Sequence, residues 1–289
     1  MIKKGIILAG GMGTRMSPLT KAVNKQLLPL YDKPLIYYPL SVLMLAGIRH
    51  ILIIINKGQL FQFQKILPKK NNLGITIEYL EQEKPGGLPE AFIIGKKFIG
   101  NDKIALILGD NFFYGQSLTK ILKKNITLKK GAKIFLHPVK NPNLYGVATL
   151  NKMNKPVRLI EKPQKTTSNL AVTGLYFFDN KVVKYSSYLK PSKRNELEII
   201  DLLNKYKKNN QLKVELIGRG GTWLDTGNIK DFYDASNYIS TIENRQGLKI
   251  ACLEEISFKN GWIKKEHIKK AIKFYGNCDY SKYLKSIIN

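Results

Sequence analysis

The stretch Gly5-Ile-Ile-Leu-Ala-Gly-Gly-Met-Gly-Thr-Arg15 decides the fold. Its first five residues form a short, largely apolar run, which predicts a buried strand over Gly5 to Ala9. Glycines follow at once, so several backbone N–H groups can converge on an anion without obstruction by side chains. Arg15 can then neutralise phosphate charge as a planar fork. The stretch therefore predicts a strand that leads into a phosphate-binding loop.

This glycine loop differs from two common phosphate-binding motifs. A Walker A loop requires G-x-x-x-x-G-K-[ST], and Met16 stands where a dinucleotide-binding G-x-G-x-x-G would have its last glycine. On its glycines alone the loop is explained equally well as a tight structural turn. Its identity therefore depends on the residues that follow it.

Strand-like and helix-like segments alternate through the first half of the chain. Strands are predicted over 51–55, 76–80 and 103–108, and helices over 35–46, 59–67 and 90–98. This alternation indicates an α/β fold, with a sheet covered by helices on both faces. Ligands of open α/β sheets bind beyond the carboxyl ends of the strands. Three loops fall there: Gly10-Gly11, Gln82 to Gly87 and Gly109-Asp110-Asn111.

The second half is richer in β structure. Strands are predicted over 133–137, 147–150, 157–160, 171–178 and 214–217, and helices over 197–206 and from about Asn228 onwards. We interpret residues 132–225 as a β-rich lobe that closes over a second ligand. The last fifty or so residues are predicted to be mainly helical. We expect a catalytic domain over 1–239 and a helical extension over 240–289 that contacts another subunit.

Composition excludes several classes of protein. The chain has 289 residues, of which 44% are hydrophobic, and only two cysteines, so neither a disulfide framework nor a C-x-x-C metal site is predicted. The longest apolar stretch, Pro34 to Ile48, is broken by Pro39 and Ser41 and is shorter than the roughly 20 residues of a membrane span. We expect a cytoplasmic protein that is not bound to membranes.

The net charge of +27 invites a nucleic-acid hypothesis. Only six of the 48 basic residues are arginine, however, and the lysines are spread along the chain without interleaved aromatic residues. This pattern favours solvated surface lysines over a nucleic-acid interface. Steeply salt-dependent DNA binding without turnover would revive the rejected alternative.

A series of motifs carries a resemblance to a known family. The loop Gly10 to Arg15 is followed by Lys25-Gln-Leu-Leu-Pro29, and the combination is far more specific than either half. Further strings follow in order: Asp32 to Leu40, Leu108-Gly-Asp-Asn111, Leu144-Tyr-Gly-Val147, Ile160-Glu-Lys-Pro163, Ala171 to Tyr176, Glu196-Leu-Glu198 and Trp223-Leu-Asp-Thr-Gly227. Nearly the whole chain resembles the glucose-1-phosphate thymidylyltransferases, a group of sugar-1-phosphate nucleotidyltransferases.

The resemblance implies a fold and a reaction. The fold is a Rossmann-like nucleotidyltransferase fold with a mostly parallel central sheet flanked by helices. In the reaction, dTTP and glucose 1-phosphate give dTDP-glucose and pyrophosphate with Mg²⁺ as cofactor, the first step towards dTDP-L-rhamnose and related sugars. A sugar phosphate is largely ionised near neutrality, since its second pKa is about 6, so no general base is required. The scattered histidines of the chain agree with this chemistry.

The resemblance also assigns residues. Those implied in catalysis are Arg15, Lys25, Asp110, Lys162 and Asp225, and Asp110 and Asp225 are the implied metal ligands. The nucleotide site comprises Leu8, Gly10, Gly11, Gly13, Thr14, Arg15, Gln82, Gly87 and Asp110. The sugar-phosphate site comprises Lys25, Gln26, Asn111, Tyr145, Gly146, Glu161, Lys162, Val172, Tyr176 and Trp223. For Trp223 a place in the hydrophobic core is an equally good interpretation.

The sequence departs from the family pattern at two places. Pro89 and Glu90 replace the usual alanine and glutamine, which puts a negative charge near the nucleotide pocket. The segment Tyr114 to Lys120 lacks the histidine and acidic residue of the family's effector surface, and Lys259 replaces a common arginine. The sequence therefore predicts the reaction type more firmly than the base or end-product inhibition.

Alternatives to this function remain. A UTP-using uridylyltransferase differs by recognition of one thymine methyl group, which is worth about 1–3 kcal/mol, so sequence does not separate the two. A non-catalytic nucleotide-sugar sensor on the same fold would need a broken metal site, whereas Asp110 and Asp225 are both present. The resemblance and the helical C-terminus favour a homotetramer.

Overall fold

The computed structural model describes all 289 residues. The strands are β1 (Lys4–Ala9), β2 (Pro29–Leu30), β3 (Lys33–Pro34), β4 (His50–Asn56), β5 (Thr76–Gln82), β6 (Ile104–Leu108), β7 (Asn111–Gly115), β8 (Ala132–Pro138), β9 (Gly146–Leu150), β10 (Pro156–Glu161), β11 (Leu170–Phe178), β12 (Leu212–Leu216) and β13 (Gly221–Asp225). The helices are α1 (Tyr37–Leu45), α2 (Leu60–Ile66), α3 (Glu90–Ile94), α4 (Lys96–Ile99), α5 (Leu118–Asn125), α6 (Lys181–Ser187), α7 (Ile199–Lys208), α8 (Ile229–Gln246), α9 (Leu253–Lys259), α10 (Lys265–Tyr275) and α11 (Asp279–Ile288). The one predicted helix over 90–98 is divided at Gly95 into α3 and α4.

Nine strands form one mixed sheet. Seven run in the order β10-β9-β11-β6-β1-β4-β5, and β8 pairs with both β11 and β12. The strands β6, β1, β4 and β5 are parallel to one another, as predicted. The other half turns antiparallel, because β11 pairs in the opposite direction with β6, β8 and β9. The strands within 132–220 thus extend the same sheet, and the α/β class is confirmed.

Both faces of this sheet are buried. Alternate residues of β1 point to opposite faces, so Ile7 and Ile6 belong to two different hydrophobic cores, of 32 and 24 buried residues. The first core contains α1, which is buried along most of its length. The second contains residues of α3, α4 and α7. This double cover explains why β4 reads as a continuous apolar run from Ile51 to Ile55.

Two smaller elements frame the site and the C-terminus. Strands β7 and β13 form a separate antiparallel ribbon that begins directly after Asp110 and ends at Asp225. Helix α8 follows, and the Asn228 side chain caps it by accepting a hydrogen bond from the Asp231 N–H at 2.9 Å. The chain ends in the predicted helices, α9 to α11, which pack around a small core of their own. None of the helices combines the length and apolar character needed to cross a membrane.

Candidate active site

The glycine loop, Lys25 and Asp110 line one polar cavity of about 220 Å³. None of its lining residues is hydrophobic: Gly10, Gly11, Gly13, Thr14, Arg15, Lys25, Gln26, Asp110 and Gly227. All of them except Gly227 were predicted for the nucleotide or the sugar phosphate. The structure thus brings these residues together at the carboxyl end of β1, where an α/β sheet binds ligands.

An asparagine that the sequence analysis missed fixes the glycine loop. The Gly11 N–H donates to Asn56 Oδ1 at 3.0 Å, and Asn56 Nδ2 donates to the Gly11 carbonyl, also at 3.0 Å. Asn56 ends β4, the parallel neighbour of β1. A signal for it was present, because a polar residue at the carboxyl end of an adjacent parallel strand lies beside the loop.

Close packing explains two predicted glycines. A Cβ atom on Gly10 would lie 2.0 Å from Gln82 Nε2, so the buried Gln82 side chain covers the loop directly. Gly87 has φ +98°, and a Cβ there would lie 2.2 Å from the Leu197 carbonyl oxygen. The neighbouring Gly86 carbonyl accepts a hydrogen bond from the Leu197 N–H at 2.9 Å. The predicted base-binding segment is therefore tied to the loop before α7.

Glu90, the departure from the family pattern, has a local partner. Its carboxylate oxygen Oε2 accepts a hydrogen bond from the Gly86 N–H at 2.8 Å. It also lies in the first turn of α3, where a negative charge is favourable. The added charge is thus held by the backbone of the loop. Leu8, which was predicted for the nucleotide site, lies in β1, and its carbonyl accepts a hydrogen bond from the Gly109 N–H at 2.9 Å.

The two predicted metal ligands lie at the same end of the β7–β13 ribbon. Asp225 lies opposite Asn111 in the register, and the Asp110 carbonyl accepts hydrogen bonds from Thr226 N–H at 3.1 Å and Thr226 Oγ1 at 2.8 Å. Lys25, which is buried, donates from Nζ to Asp110 Oδ2 at 2.7 Å. The ribbon therefore holds both aspartates beside the phosphate cavity.

The charges of these groups depend on one another. Burial raises the pKa of Asp110, but the Lys25 ammonium outweighs it and holds that pKa below its usual range. Burial and the Asp110 charge raise the pKa of Asp225 to about 7, although Lys25 and Arg15 oppose the shift. Asp225 forms no ion pair within the chain. Its raised pKa indicates a carboxylate that lacks sufficient positive charge around it.

These residues fit a magnesium ion. No group of three or more His, Cys, Asp or Glu side chains is gathered for a metal anywhere in the chain. Mg²⁺ is usually held by only one or two carboxylates together with waters and substrate phosphates, which matches Asp110 and Asp225 at a phosphate-sized cavity. Gln26 adds a second indication of a ligand, since its buried Oε1 has no hydrogen-bond partner.

On the sugar side, Glu161 shares a cation with Glu198. Arg194 Nη2 lies 3.4 Å from Glu161 Oε1 and 2.7 Å from Glu198 Oε2. Burial and the Glu198 charge raise the pKa of Glu161, and Arg194 partly offsets them. Arg194 was missed by the sequence analysis, although it stands two residues before the Glu196-Leu-Glu198 motif. It is the cation nearest to the predicted sugar-hydroxyl acceptor.

The predicted residues of the β9–β10 hairpin also lie together. Gly146 and Glu161 are opposite each other in the register, and the Lys162 N–H donates to the Tyr145 carbonyl at 3.0 Å. Lys162 has φ +41°, a left-handed conformation that is uncommon outside glycine and is enriched at functional sites. The Tyr145 ring packs against the Trp223 ring, with centroids 5.1 Å apart.

Three predicted sugar-site residues are buried in hydrophobic cores. Val172 and Tyr176 of β11 are 7% and 3% exposed and pack in the second core. Burial, with a smaller contribution from the nearby Glu161 charge, raises the pKa of Tyr176. Trp223 is 6% exposed and packs in the first core, and its indole N–H donates to Asn111 Oδ1 at 2.6 Å. The core interpretation of Trp223 is therefore correct as a description of its packing.

The second departure from the family pattern, at Tyr114 to Lys120 and Lys259, lies at a different cavity. Tyr114, Thr119 and Lys259 are among the residues that line this space of about 460 Å³ between α5 and α9. Lys259 pairs there with Glu255, at 2.5 Å. None of the residues that line the phosphate cavity contributes to it.

Comparison with known proteins gives the family. The sequence model of the family described as Nucleotidyl transferase matches residues 4–242. A glucose-1-phosphate thymidylyltransferase of Neisseria meningitidis serogroup A is 50% identical over 281 residues, which cover 97% of this chain and 98% of that protein. The chain belongs to the nucleotidyl transferase family, among the glucose-1-phosphate thymidylyltransferases. The resemblance predicted from the motifs is confirmed.

Solved structures support the nucleotidyltransferase fold. A candidate glucose-1-phosphate thymidylyltransferase from Bacillus anthracis, in complex with a sucrose, has a TM-score of 0.75 at 37% identity and covers 81% of this chain and 94% of its own. A UDP-glucose pyrophosphorylase in complex with UDP-glucose has a TM-score of 0.73 at 27% identity and covers 84% and 100%. Both thymidylyl and uridylyl relatives thus share the architecture of this nucleotidyltransferase chain.

Proposed function

We propose that the chain transfers a thymidylyl group from dTTP to α-D-glucose 1-phosphate and releases dTDP-glucose and pyrophosphate. The observation that carries the proposal is the polar cavity in which the glycine loop, Lys25, Gln26 and Asp110 converge. The 50% identity to a thymidylyltransferase over nearly the full chain supports the choice of substrates. The product is a precursor for dTDP-L-rhamnose and related sugars.

The triphosphate binds to the glycine loop. Backbone N–H groups between Gly10 and Arg15 donate to phosphate oxygens, and the guanidinium of Arg15 neutralises their charge. Asn56 holds the loop in place through its two hydrogen bonds to Gly11. Because these donors are positioned before the ligand arrives, they need no reorganisation during the reaction.

The base lies against Gln82 and the Gly86–Gly87 segment. Gln82 Nε2 has only a long contact of 3.4 Å to Asn56 Oδ1, so its amide remains able to match a pyrimidine O4 and N3–H. Glu90 keeps its carboxylate on the Gly86 N–H, so its charge does not oppose the nucleotide directly. The preference for thymine over uracil depends on one methyl group, and dual use of dTTP and UTP is compatible with the similarity to the uridylyl enzyme.

The sugar phosphate binds beside Gln26, Lys162 and Glu161. Its phosphate oxygen attacks the α-phosphorus of dTTP in line, and pyrophosphate leaves. Lys25 and Lys162 neutralise phosphate charge, and Glu161 accepts hydrogen bonds from sugar hydroxyls. The attacking oxygen is already ionised, so the chain's residues act by orientation and charge neutralisation. Asn111, Tyr145, Gly146, Val172, Tyr176 and Trp223 complete or support this side.

Asp110 and Asp225 hold Mg²⁺ in this proposal. The ion, when bound, neutralises charge on the phosphates and helps to fix their geometry. Lys25 keeps Asp110 ionised, and a cation held by the two carboxylates would offset the burial and the Asp110 charge that raise the pKa of Asp225. The sensor alternative would need this pair to be broken, whereas Asp110 lines the cavity and Asp225 lies beside Gly227 at its edge.

The test is pyrophosphate release from the protein with Mg²⁺, glucose 1-phosphate and each common NTP or dNTP in turn. We expect the fastest release with dTTP, and none without the sugar phosphate. Faster release with UTP would replace the thymidylyltransferase by the uridylyltransferase. No release with any nucleotide would leave the sensor as the remaining function.

We also propose a division at residue 239, with residues 240–289 as a subunit-contact extension of a cytoplasmic homotetramer. The end of the family match at residue 242 supports the division. Native mass measurement of the full chain and of a chain ending at residue 239 tests the proposal. A full-length monomer would overturn it.

A further inference from the structure

The orientation of the Asn111 side chain is fixed by two donors. Asn111 is only 1% exposed, and its Oδ1 accepts hydrogen bonds from the Trp223 indole N–H at 2.6 Å and the Gly174 backbone N–H at 3.0 Å. An indole N–H and a peptide N–H can only donate, so the oxygen of the amide must face them. The amide nitrogen then has to point the other way.

That nitrogen points at the proposed metal ligand. Asn111 Nδ2 donates to Asp110 Oδ1 at 3.0 Å, while Lys25 Nζ donates to Asp110 Oδ2 at 2.7 Å. Both carboxylate oxygens are therefore held by donors from the protein. The Asp110 backbone is held as well, through the two hydrogen bonds that its carbonyl accepts from Thr226.

We propose that Trp223 and Asn111 are positioning residues for the metal: the indole N–H sets the Asn111 amide, and the amide sets the Asp110 carboxylate. The inference rests on the proposed metal site and assigns a further role to its neighbours. Outer-shell partners that orient a ligating carboxylate commonly change metal affinity or activity by about 10- to 100-fold. Trp223 then acts on catalysis through Asn111, without touching the reacting atoms.

Packing alone does not require tryptophan at this position. The ring of Trp223 lies edge-on to Tyr145, with centroids 5.1 Å apart, and to His137 at 6.3 Å. A phenylalanine ring would keep most of these apolar contacts. The feature that only tryptophan supplies is the indole N–H, and the structure uses it on Asn111.

The same geometry limits which hydrogen bonds Asn111 can form with the sugar. Its Oδ1 already accepts two hydrogen bonds, which fills its two lone pairs. One N–H of the amide remains for a substrate oxygen. Asn111 can therefore donate to a sugar hydroxyl, but it cannot also accept from one.

The test compares Trp223→Phe with Trp262→Phe, since the chain has only two tryptophans. Trp262 lies between α9 and α10, where it stacks against Arg49, 5.4 Å from the ring centroid to Cζ. Mn²⁺ serves as the probe, and its binding in the presence of dTTP is followed by the electron paramagnetic resonance of the free ion. Asp110→Asn reports whether the metal site itself is assigned correctly.

We expect Trp223→Phe to weaken Mn²⁺ binding about 10-fold and to lower kcat by a similar factor. The melting temperature should change little, and Trp262→Phe should match the wild type throughout. Unchanged Mn²⁺ affinity in Trp223→Phe would overturn the inference. If Asp110→Asn also binds Mn²⁺ normally, the error lies in the proposed metal site instead.

A second measurement does not depend on the folding of the Trp223 variant. In the Trp262→Phe protein, Trp223 gives the single indole N–H resonance. That resonance should shift when Mg²⁺ is added with dTTP, and it should not shift on Mg²⁺ addition in the double variant that also carries Asp110→Asn. If the Trp223 resonance of the Trp262→Phe protein does not shift when Mg²⁺ is added, the proposed coupling between Trp223 and the metal site is contradicted.

Discussion

The two sides of the site differ in how their charges are satisfied. On the phosphate side, Arg15 and Asp225 form no ion pair within the chain, and Gln26 Oε1 is buried without a partner. On the sugar side, Glu161 shares Arg194 with Glu198 at 3.4 and 2.7 Å. Apart from the Lys25–Asp110 ion pair, the phosphate side thus depends on ligand charge for completion, whereas Glu161 on the sugar side is already paired. Substitutions on the two sides should therefore change different measurements.

The largest effect is expected at the phosphate side, for Asp225→Asn. Removal of one of the two proposed metal ligands should lower kcat at least about 100-fold, on the scale of losing a key electrostatic group. Steady-state pyrophosphate release at saturating substrates measures the change. Asp234→Asn is a matched control, because that exposed aspartate pairs only with Lys230 on the surface of α8. Near-normal turnover in Asp225→Asn would remove Asp225 from the metal site.

The next effect tests the preformed donors of the glycine loop. In Gly10→Ala the added methyl group would lie 2.0 Å from Gln82 Nε2 and push that side chain out of its position. We expect the KM for dTTP to rise about 30-fold and the KM for glucose 1-phosphate to stay within about two-fold. Gly218→Ala is the control, since a Cβ there meets nothing within 4 Å. Equal changes in both KM values would show that the two sides are not separate.

A smaller effect is expected on the sugar side, for Arg194→Gln. Without the guanidinium, Glu161 loses its nearest cation and no longer keeps a fixed orientation toward sugar hydroxyls. The KM for glucose 1-phosphate should rise about 5- to 10-fold, while the KM for dTTP is unchanged. Arg158→Gln, on an exposed part of the same β9–β10 hairpin, is the control. A selective loss of dTTP binding would place Arg194 on the other side of the site.

The same contrast explains what the sequence could predict. The phosphate side follows from short local motifs: Gly10 to Arg15 and Asp110 each follow a strand that periodicity identifies, and Lys25 stands in the motif Lys25-Gln-Leu-Leu-Pro29. Arg194 was missed, because its importance arises only when the loop before α7 packs against β10, more than thirty residues earlier in the chain.

The sheet shows the same limit of prediction from local sequence. The parallel half was predicted from alternating strands and helices, which is the pattern that parallel pairing requires. The antiparallel half depends on β11, which pairs with β6, β8 and β9 at once. Such long-range pairing leaves no signal in local periodicity, so the prediction of a mostly parallel sheet describes only the β6-β1-β4-β5 half.

The last prediction concerns the stability of Asp225→Asn, which should rise although the activity of this variant falls. The pKa of Asp225 is raised to about 7 in the folded chain, above its unfolded value, so this group destabilises the metal-free protein as pH rises from about 4 through 7. Asp225→Asn removes that cost. We expect the variant to gain about 1 kcal/mol over the wild type between pH 5 and pH 8, a modest value because the side chain is only partly shielded from solvent.

Thermal or urea unfolding without metal measures this difference, and Mg²⁺ with dTTP should reverse it by stabilising the wild type more than the variant. Glu161→Gln is the variant with which the stability of Asp225→Asn is compared. The pKa of Glu161 is also raised, first by burial, yet Arg194 partly compensates it, so Glu161→Gln should gain less stability over the same pH range than Asp225→Asn. An equal or larger gain in Glu161→Gln would contradict the distinction between Asp225, which has no ion-pair partner, and Glu161, which is paired with Arg194.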